Sequence, residues 1–311
     1  MSKIQEFIQQ HLLFLIKIFS LSIGIIYLYF KLSASIGTLN LSFKGISSIT
    51  FLKIAMILLV LSGFNWYGEL QKWKGLACLK SLSETVRQVF IGHALSICTP
   101  NKLGEYGGKC MLYSKDKSHQ IIALTGIGHL CQLISTVLFG IIGLINLPRL
   151  QIFEFDTLKI ISLICLILSI GILCTHKRIR AHLHLIANRL KNVSQKVFLN
   201  TLLWSILRYL CFSHQFLFLL WGLDIPISYF EGLSVIFTTY FLSSVIPSFA
   251  ISDVFIKGSV AVSLFSLYGV QSNLILTIVF FMWIFNTMLP ALLGYVLLLQ
   301  WKPKVKYQKN D

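Results

Sequence analysis

The chain has 311 residues, of which 56% are hydrophobic and only 12% charged, with a mean hydropathy of +0.77. A soluble domain carries about 25% charged residues, and here the apolar residues come in blocks, which excludes an ordinary soluble fold. Lys and Arg number 27 against 11 Asp and Glu, a formal charge of +16; the cations lie between apolar blocks, where they report topology and headgroup contact, and no nucleic-acid partner is expected.

Crossing a bilayer as a helix takes about 20 predominantly apolar residues. In chain order, such stretches run Leu12–Phe30, Leu52–Trp66, Ile121–Leu147, Leu158–Cys174, Phe198–Trp221 and Leu274–Leu299. The first is too long for the apolar region of a signal peptide and is interrupted by Lys17, so it reads as a transmembrane helix. Two further stretches, Val89–Thr99 and Leu233–Tyr268, are broken by Pro, Gly and charge. The fold expected is an all-α polytopic transmembrane bundle, one integral membrane domain over residues 1–311, with about six full spans and two broken elements. The seven Cys form no CxxC pair, so neither a disulfide framework nor a metal site is implied. His182 and His184 read as part of a solvated basic face, and no cofactor is expected.

Charge orients the spans. The segments Tyr67–Arg87 and Thr175–Val197 and the tail after Trp301 are rich in Lys and Arg, which places them and the C-terminus in the cytoplasm. Gly222–Glu231 carries Asp224 and Glu231 without a cation, and Leu147–Thr157 carries Arg149 against Glu154 and Asp156; both fit the outside. Threading these assignments makes each broken element start and end on one face, the first from inside and the second from outside. Such re-entrant backbone is tolerated at membrane depth only where protein or a wet cavity satisfies it.

The two broken elements resemble each other. One holds Pro100, Asn101, Lys102, Gly104, Glu105, Gly108 and Lys109; the other holds Pro247, Asp253 and Lys257. In each, an acid follows the Pro by five or six residues and a Lys follows the acid by four, a spacing that puts acid and base on one helical face. Pro stops the incoming half-helix and favours the start of the next. Similar breaks entering from opposite faces mark an inverted repeat with a polar site at the midplane, its halves about residues 46–147 and 198–300. Arg208 adds a charge inside an apolar span, where it could answer Glu105 or Asp253, and Gln215 shares its face seven residues on. Charge at membrane depth costs ~2.5–3.5 kcal/mol per residue, so these residues together suggest a binding or gating site. Cross-bracing between helices is the plainer alternative.

The same residues resemble the flippase-like family named after the membrane region of lysylphosphatidylglycerol synthase. The run Gly92–Lys109, with Pro100-Asn-Lys-Leu-Gly-Glu105, is similar to its first block. Ile246–Ser259, with Asp253 and Lys257, followed by Leu267-Tyr-Gly-Val270, is similar to its second. Asp253 stands where the family usually has Glu, Lys102, Lys109 and Lys257 stand where Arg is common, and the second block lacks its Pro-Gly-Gly. Lys lacks the bidentate fork Arg offers a phosphate. The full-length synthases add a cytoplasmic aminoacyl-transfer domain; here about ten residues follow the last span, which argues against synthase activity.

The resemblance implies movement of an amphipathic lipid between leaflets. The leading expectation is a translocator of an anionic lipid or lipid-linked substrate in the cell (inner) membrane. No GxxxxGK[ST] loop is present, so movement would be facilitated or ion-coupled. Two alternatives remain: an accessory or scaffold protein docking a lipid- or glycan-synthesis enzyme through its basic loops, and a membrane-embedded enzyme using Glu105 and Asp253 as acid and base.

Overall fold

The computed structural model describes residues 48–97, 99, 102–147, 193–246 and 250–301. The expected spans Leu12–Phe30 and Leu158–Cys174, most of the basic segment after Thr175, His182, His184, the C-terminal tail, and site residues Pro100, Asn101 and Pro247 lie outside the described residues.

The described chain is helical. Helix α1 is Ser48–Leu76, α2 Leu82–Ile97, α3 Leu103–Cys110 and α4 Ser118–Ile145. After them come α5 (Gln195–Gly222), α6 (Tyr229–Val245), α7 (Ala250–Ser266) and α8 (Ser272–Gln300). Three of these, α4, α5 and α8, are long and apolar enough to cross a membrane; they match three of the six expected spans, Ile121–Leu147, Phe198–Trp221 and Leu274–Leu299, whereas Leu52–Trp66 lies in α1, which is not among the three. Their outer faces are the reverse of a soluble helix. Leu138, Ile141, Ile142 and Ile145 on α4, and Leu289, Leu293, Val296 and Leu299 on α8, recur at three- and four-residue spacing and are exposed, as a lipid-facing stripe requires.

Helix α1 overruns the reading of its sequence. Its apolar part was expected to stop at Trp66, with a cytoplasmic loop from Tyr67 to Arg87, yet the helix continues to Leu76 and α2 begins at Leu82. Lys72 is buried inside the bundle. Two charges of this stretch, Glu69 and Lys72, serve the interior, because with Asn65 they fall on one face at spacings of four and three; Lys80 and Arg87 are exposed.

Each broken element forms two helices. The first is α2, which ends at Ile97, and α3, which starts at Leu103; the second is α6, which ends at Val245, and α7, which starts at Ala250. Each pair packs back on itself. Thr99 accepts the Gly104 N–H at 2.6 Å and so caps the start of α3. Lys102 precedes it in the left-handed region at φ 58, uncommon for a residue with a side chain. Gly104 is obligatory to the hairpin, because a Cβ there would collide with the Leu95 carbonyl.

The order long helix, two shorter helices, long helix occurs twice, over Ser48–Ile145 and Ser272–Gln300 with the helices from Gln195. The packing is reciprocal: α1 lies along α5, α4 crosses α6, and α8 crosses α2. Glycine permits both crossings. A Cβ at Gly143 would stand 2.8 Å from the Ser234 carbonyl on α6, and one at Gly294 would strike the Phe90 carbonyl on α2. Small residues at a helix crossing let backbones approach closely, which is how membrane helices gain packing contact.

Candidate functional site

A cavity of about 340 Å³ lies where these helices meet, and every one of the eight contributes to its wall or rim. Its charged lining is Glu69 and Lys72 from α1, Lys102 and Glu105 at the start of α3, Arg208 from α5, and Asp253 and Lys257 from α7. The cavity thus gathers both broken elements and the span that carries Arg208.

The two acid–base pairs form as their spacing suggests. Lys109 Nζ donates to Glu105 Oε1 and Lys257 Nζ to Asp253 Oδ2, each at 2.7 Å. Both carboxylates occupy the first turn of their half-helices, where the free backbone N–H groups and the helix dipole favour negative charge. Exposure separates the pairs. The side chains of Lys109 and Glu105 are 2% and 12% exposed, whereas those of Lys257 and Asp253 are 34% and 27% exposed. Lys109 also lies over the Trp73 ring at 3.8 Å, a cation–π contact favoured by desolvation. Trp73 is in turn held by its indole N–H on Gln88 Oε1 at 2.8 Å, which also accepts from the Tyr113 hydroxyl at 2.8 Å.

Arg208 answers neither Glu105 nor Asp253. It pairs with Glu69, which also holds Lys72 at 2.7 Å. Its Nε donates to the carbonyl and the side-chain oxygen of Asn65, both at 3.1 Å. The physical reason is the long contact of α1 with α5, where Gly68 leaves room for the arginine stem: a Cβ there would stand 2.6 Å from Arg208 Cγ.

From Asn65 a chain of amides runs through the bundle. Asn65 Nδ2 donates to Asn286 Oδ1, Asn286 Nδ2 to Gln215 Oε1, and Gln215 Nε2 to Ser62 Oγ, at 2.8, 2.8 and 2.9 Å. Gln215 is fully buried behind the cavity and reaches it only through Asn286. Asn286 sits in a π turn, Ile284–Met288, that interrupts α8. Pro290 explains the turn: its ring lacks an N–H and would clash with the carbonyl four residues earlier, so the backbone widens by one residue there. The displaced Thr287 carbonyl accepts from His93 Nε2 at 2.9 Å.

Of the residues singled out from sequence, Lys102, Glu105, Arg208, Asp253 and Lys257 line the cavity. Lys109 and Gln215 stand behind it as partners, and Gly104 and Gly108 pack α3 against α2. The reading missed Asn65, Glu69, Lys72, His93, His129, Gln132 and Asn286. Two of these groups carry a legible signal, since Asn65, Glu69 and Lys72 share one helical face and His129, Gln132 and Thr136 share another in an otherwise apolar span. His129 Nε2 lies 3.2 Å from Glu105 Oε2, without hydrogen-bond alignment, and its ring stacks on Tyr106. Among the described residues, no three His, Cys, Asp or Glu side chains are gathered to hold a metal ion.

No family model, no curated protein and no solved structure matches the chain.

Proposed function

We propose that this protein moves an anionic lipid or lipid-linked substrate between membrane leaflets, the headgroup passing through the central cavity while the acyl or prenyl part stays in lipid. The observation that carries this reading is the convergence of Glu105–Lys109 and Asp253–Lys257, each opening a half-helix, on one cavity inside a bundle with apolar outer faces. A purely structural bundle gains nothing from such charges, since each costs ~2.5–3.5 kcal/mol at membrane depth. Four cations (Lys72, Lys102, Arg208 and Lys257) and three carboxylates line the space. All three carboxylates are already paired, so the unmatched charge is positive and favours an anion.

The repeated helix order and the reciprocal crossings support two halves related as an inverted repeat, with α2–α3 and α6–α7 re-entering from opposite faces. With the charge of the connecting segments, they also support about six full spans in the cell membrane and a cytoplasmic C-terminus. A neutral scaffold role has no comparable observation behind it.

The test is lipid exchange in vesicles holding the purified chain, with fluorescent phosphatidylglycerol or a labelled polyprenyl phosphate and a membrane-impermeant quencher. The protein should accelerate exchange over empty vesicles, and Glu105→Gln and Asp253→Asn should slow it. Exchange at the empty-vesicle rate for both lipids would refute the reading, and recovery of a chemically altered lipid would replace it with catalysis.

A further inference from the structure

The charged pairs occupy only part of the cavity wall. Trp66 from α1, packed on Phe90 and His93, and Tyr240 from α6, packed on Phe212 with Lys257 Nζ 5.8 Å over its ring, line it as well, as do Gln132, Thr239 and Ser243. The hydroxyls of Thr239 and Ser243 donate to carbonyls of their own helix, at 2.8 and 3.1 Å, so they offer an occupant acceptor lone pairs. Gln132 uses its Oε1 to accept from Arg208 at 3.4 Å, which leaves its amide N–H groups to donate, and the buried indole N–H of Trp66 has no hydrogen-bond partner among the described residues.

This lining discriminates among anionic headgroups. A quaternary ammonium would settle against aromatic faces, but every lining carboxylate is already held by a cation, and Lys102 has no ion pair among the described residues. A bare phosphate would use Lys102 and leave the acceptor hydroxyls and the Gln132 and Trp66 N–H groups without a role. A pyranose has both parts that the wall lacks: flat C–H faces for aromatic rings, and hydroxyls that donate to Thr239 and Ser243 while accepting from Gln132. We infer that the headgroup is a glycosyl phosphate, its sugar against Trp66 and Tyr240 and its phosphate toward Lys102. The cavity, about 340 Å³, falls near the lower end of the roughly 300–1,000 Å³ typical of small-molecule pockets, as a single sugar phosphate requires. The inference rests on the translocation reading and narrows its substrate. The same chemistry belongs to a lipid-linked sugar phosphate and to a soluble one.

Calorimetric titration of the detergent-solubilised full chain tests it, with glucose 1-phosphate, its octyl phosphodiester, glycerol 3-phosphate, phosphocholine and inorganic phosphate as probes. Glucose 1-phosphate should bind at least about tenfold tighter than glycerol 3-phosphate or inorganic phosphate. Trp66→Leu and Gln132→Leu should remove that preference while leaving the binding of inorganic phosphate in place; Gln132→Leu deletes only an amide, which keeps the result independent of whether Trp66→Leu folds. Equal binding of glucose 1-phosphate and glycerol 3-phosphate, tighter binding of phosphocholine, or no binding of any sugar phosphate would overturn the inference. The octyl diester separates it from the reading beneath it. Tighter binding than glucose 1-phosphate supports a lipid-linked substrate, whereas equal binding supports the sugar phosphate but counts against lipid movement.

Discussion

Glu69 stands between two cations, and removing it should cost more stability than removing either of them. Its carboxylate holds Lys72 at 2.7 Å and also pairs with Arg208, and all three side chains are at most 15% exposed. In Arg208→Met, Glu69 and Lys72 remain a neutral pair; the loss is chiefly the Nε bond to Asn65 Oδ1 and the longer Nη1 bond to Gln132 Oε1, about 1–3 kcal/mol for acceptors left unsatisfied in a buried site. In Glu69→Gln, two buried cations face a neutral amide, and stranding a buried charge costs about 3–5 kcal/mol. The double variant Glu69→Gln/Lys72→Met removes one stranded cation and should recover part of the loss. Unfolding of the full chain in detergent micelles by added dodecyl sulfate, followed by tryptophan fluorescence, gives the order. If Arg208→Met proves as costly as Glu69→Gln, the two ion pairs do not act as a triad centred on Glu69, and the account of this wall fails.

The same titration checks two further expectations. Gly104→Ala should cost at least ~1–3 kcal/mol, because its Cβ meets the Leu95 backbone and overpacking of that kind forces backbone shifts. Gly107→Ala, in the same helix with nothing near the new Cβ, should be neutral or stabilising by about 0.5–1 kcal/mol; equal losses in the two variants would contradict the packing described. Asn286→Leu should cost about 1–3 kcal/mol for each group it leaves without a partner, those being Asn65 Nδ2 and Gln215 Oε1. Combined with Gln215→Leu, the loss should be smaller than the sum of the two single losses, and strict additivity would show that the amide chain is not a unit.

Runs of apolar residues made α4, α5 and α8 legible, since a span of hydrocarbon thickness imposes its own length on the sequence. The two breaks, and the pairing of Glu105 with Lys109 and of Asp253 with Lys257, were also legible, because i,i+4 spacing is a local property. What escaped the reading depends on helices far apart in the chain. Lys72 looked like a topology signal because a cation near the end of an apolar run usually is one; only the packing of α1 against α4 and α5 puts it inside. The partner of Arg208 could not be chosen from sequence, where Glu105 and Asp253 looked equally fit and Glu69 appeared to be in a loop. Asn286 gave no pattern of its own, though Pro290 four residues later announces a disturbed turn in α8.

The unequal sealing of the two lysine–carboxylate pairs gives them unequal lifetimes. The Asp253 and Lys257 side chains are partly exposed, so if water reaches them their bond is of the exposed kind, worth about 0–1 kcal/mol, and turns over with ordinary side-chain motion. Lys109 has no such substitute under Trp73, and separating it from Glu105 strands the ammonium in a closed place while Glu105 keeps the cavity and His129 beside it. The pair on α7 therefore behaves as a latch that opens and closes by itself, and the pair on α3 as a rivet that holds until the helices around it move.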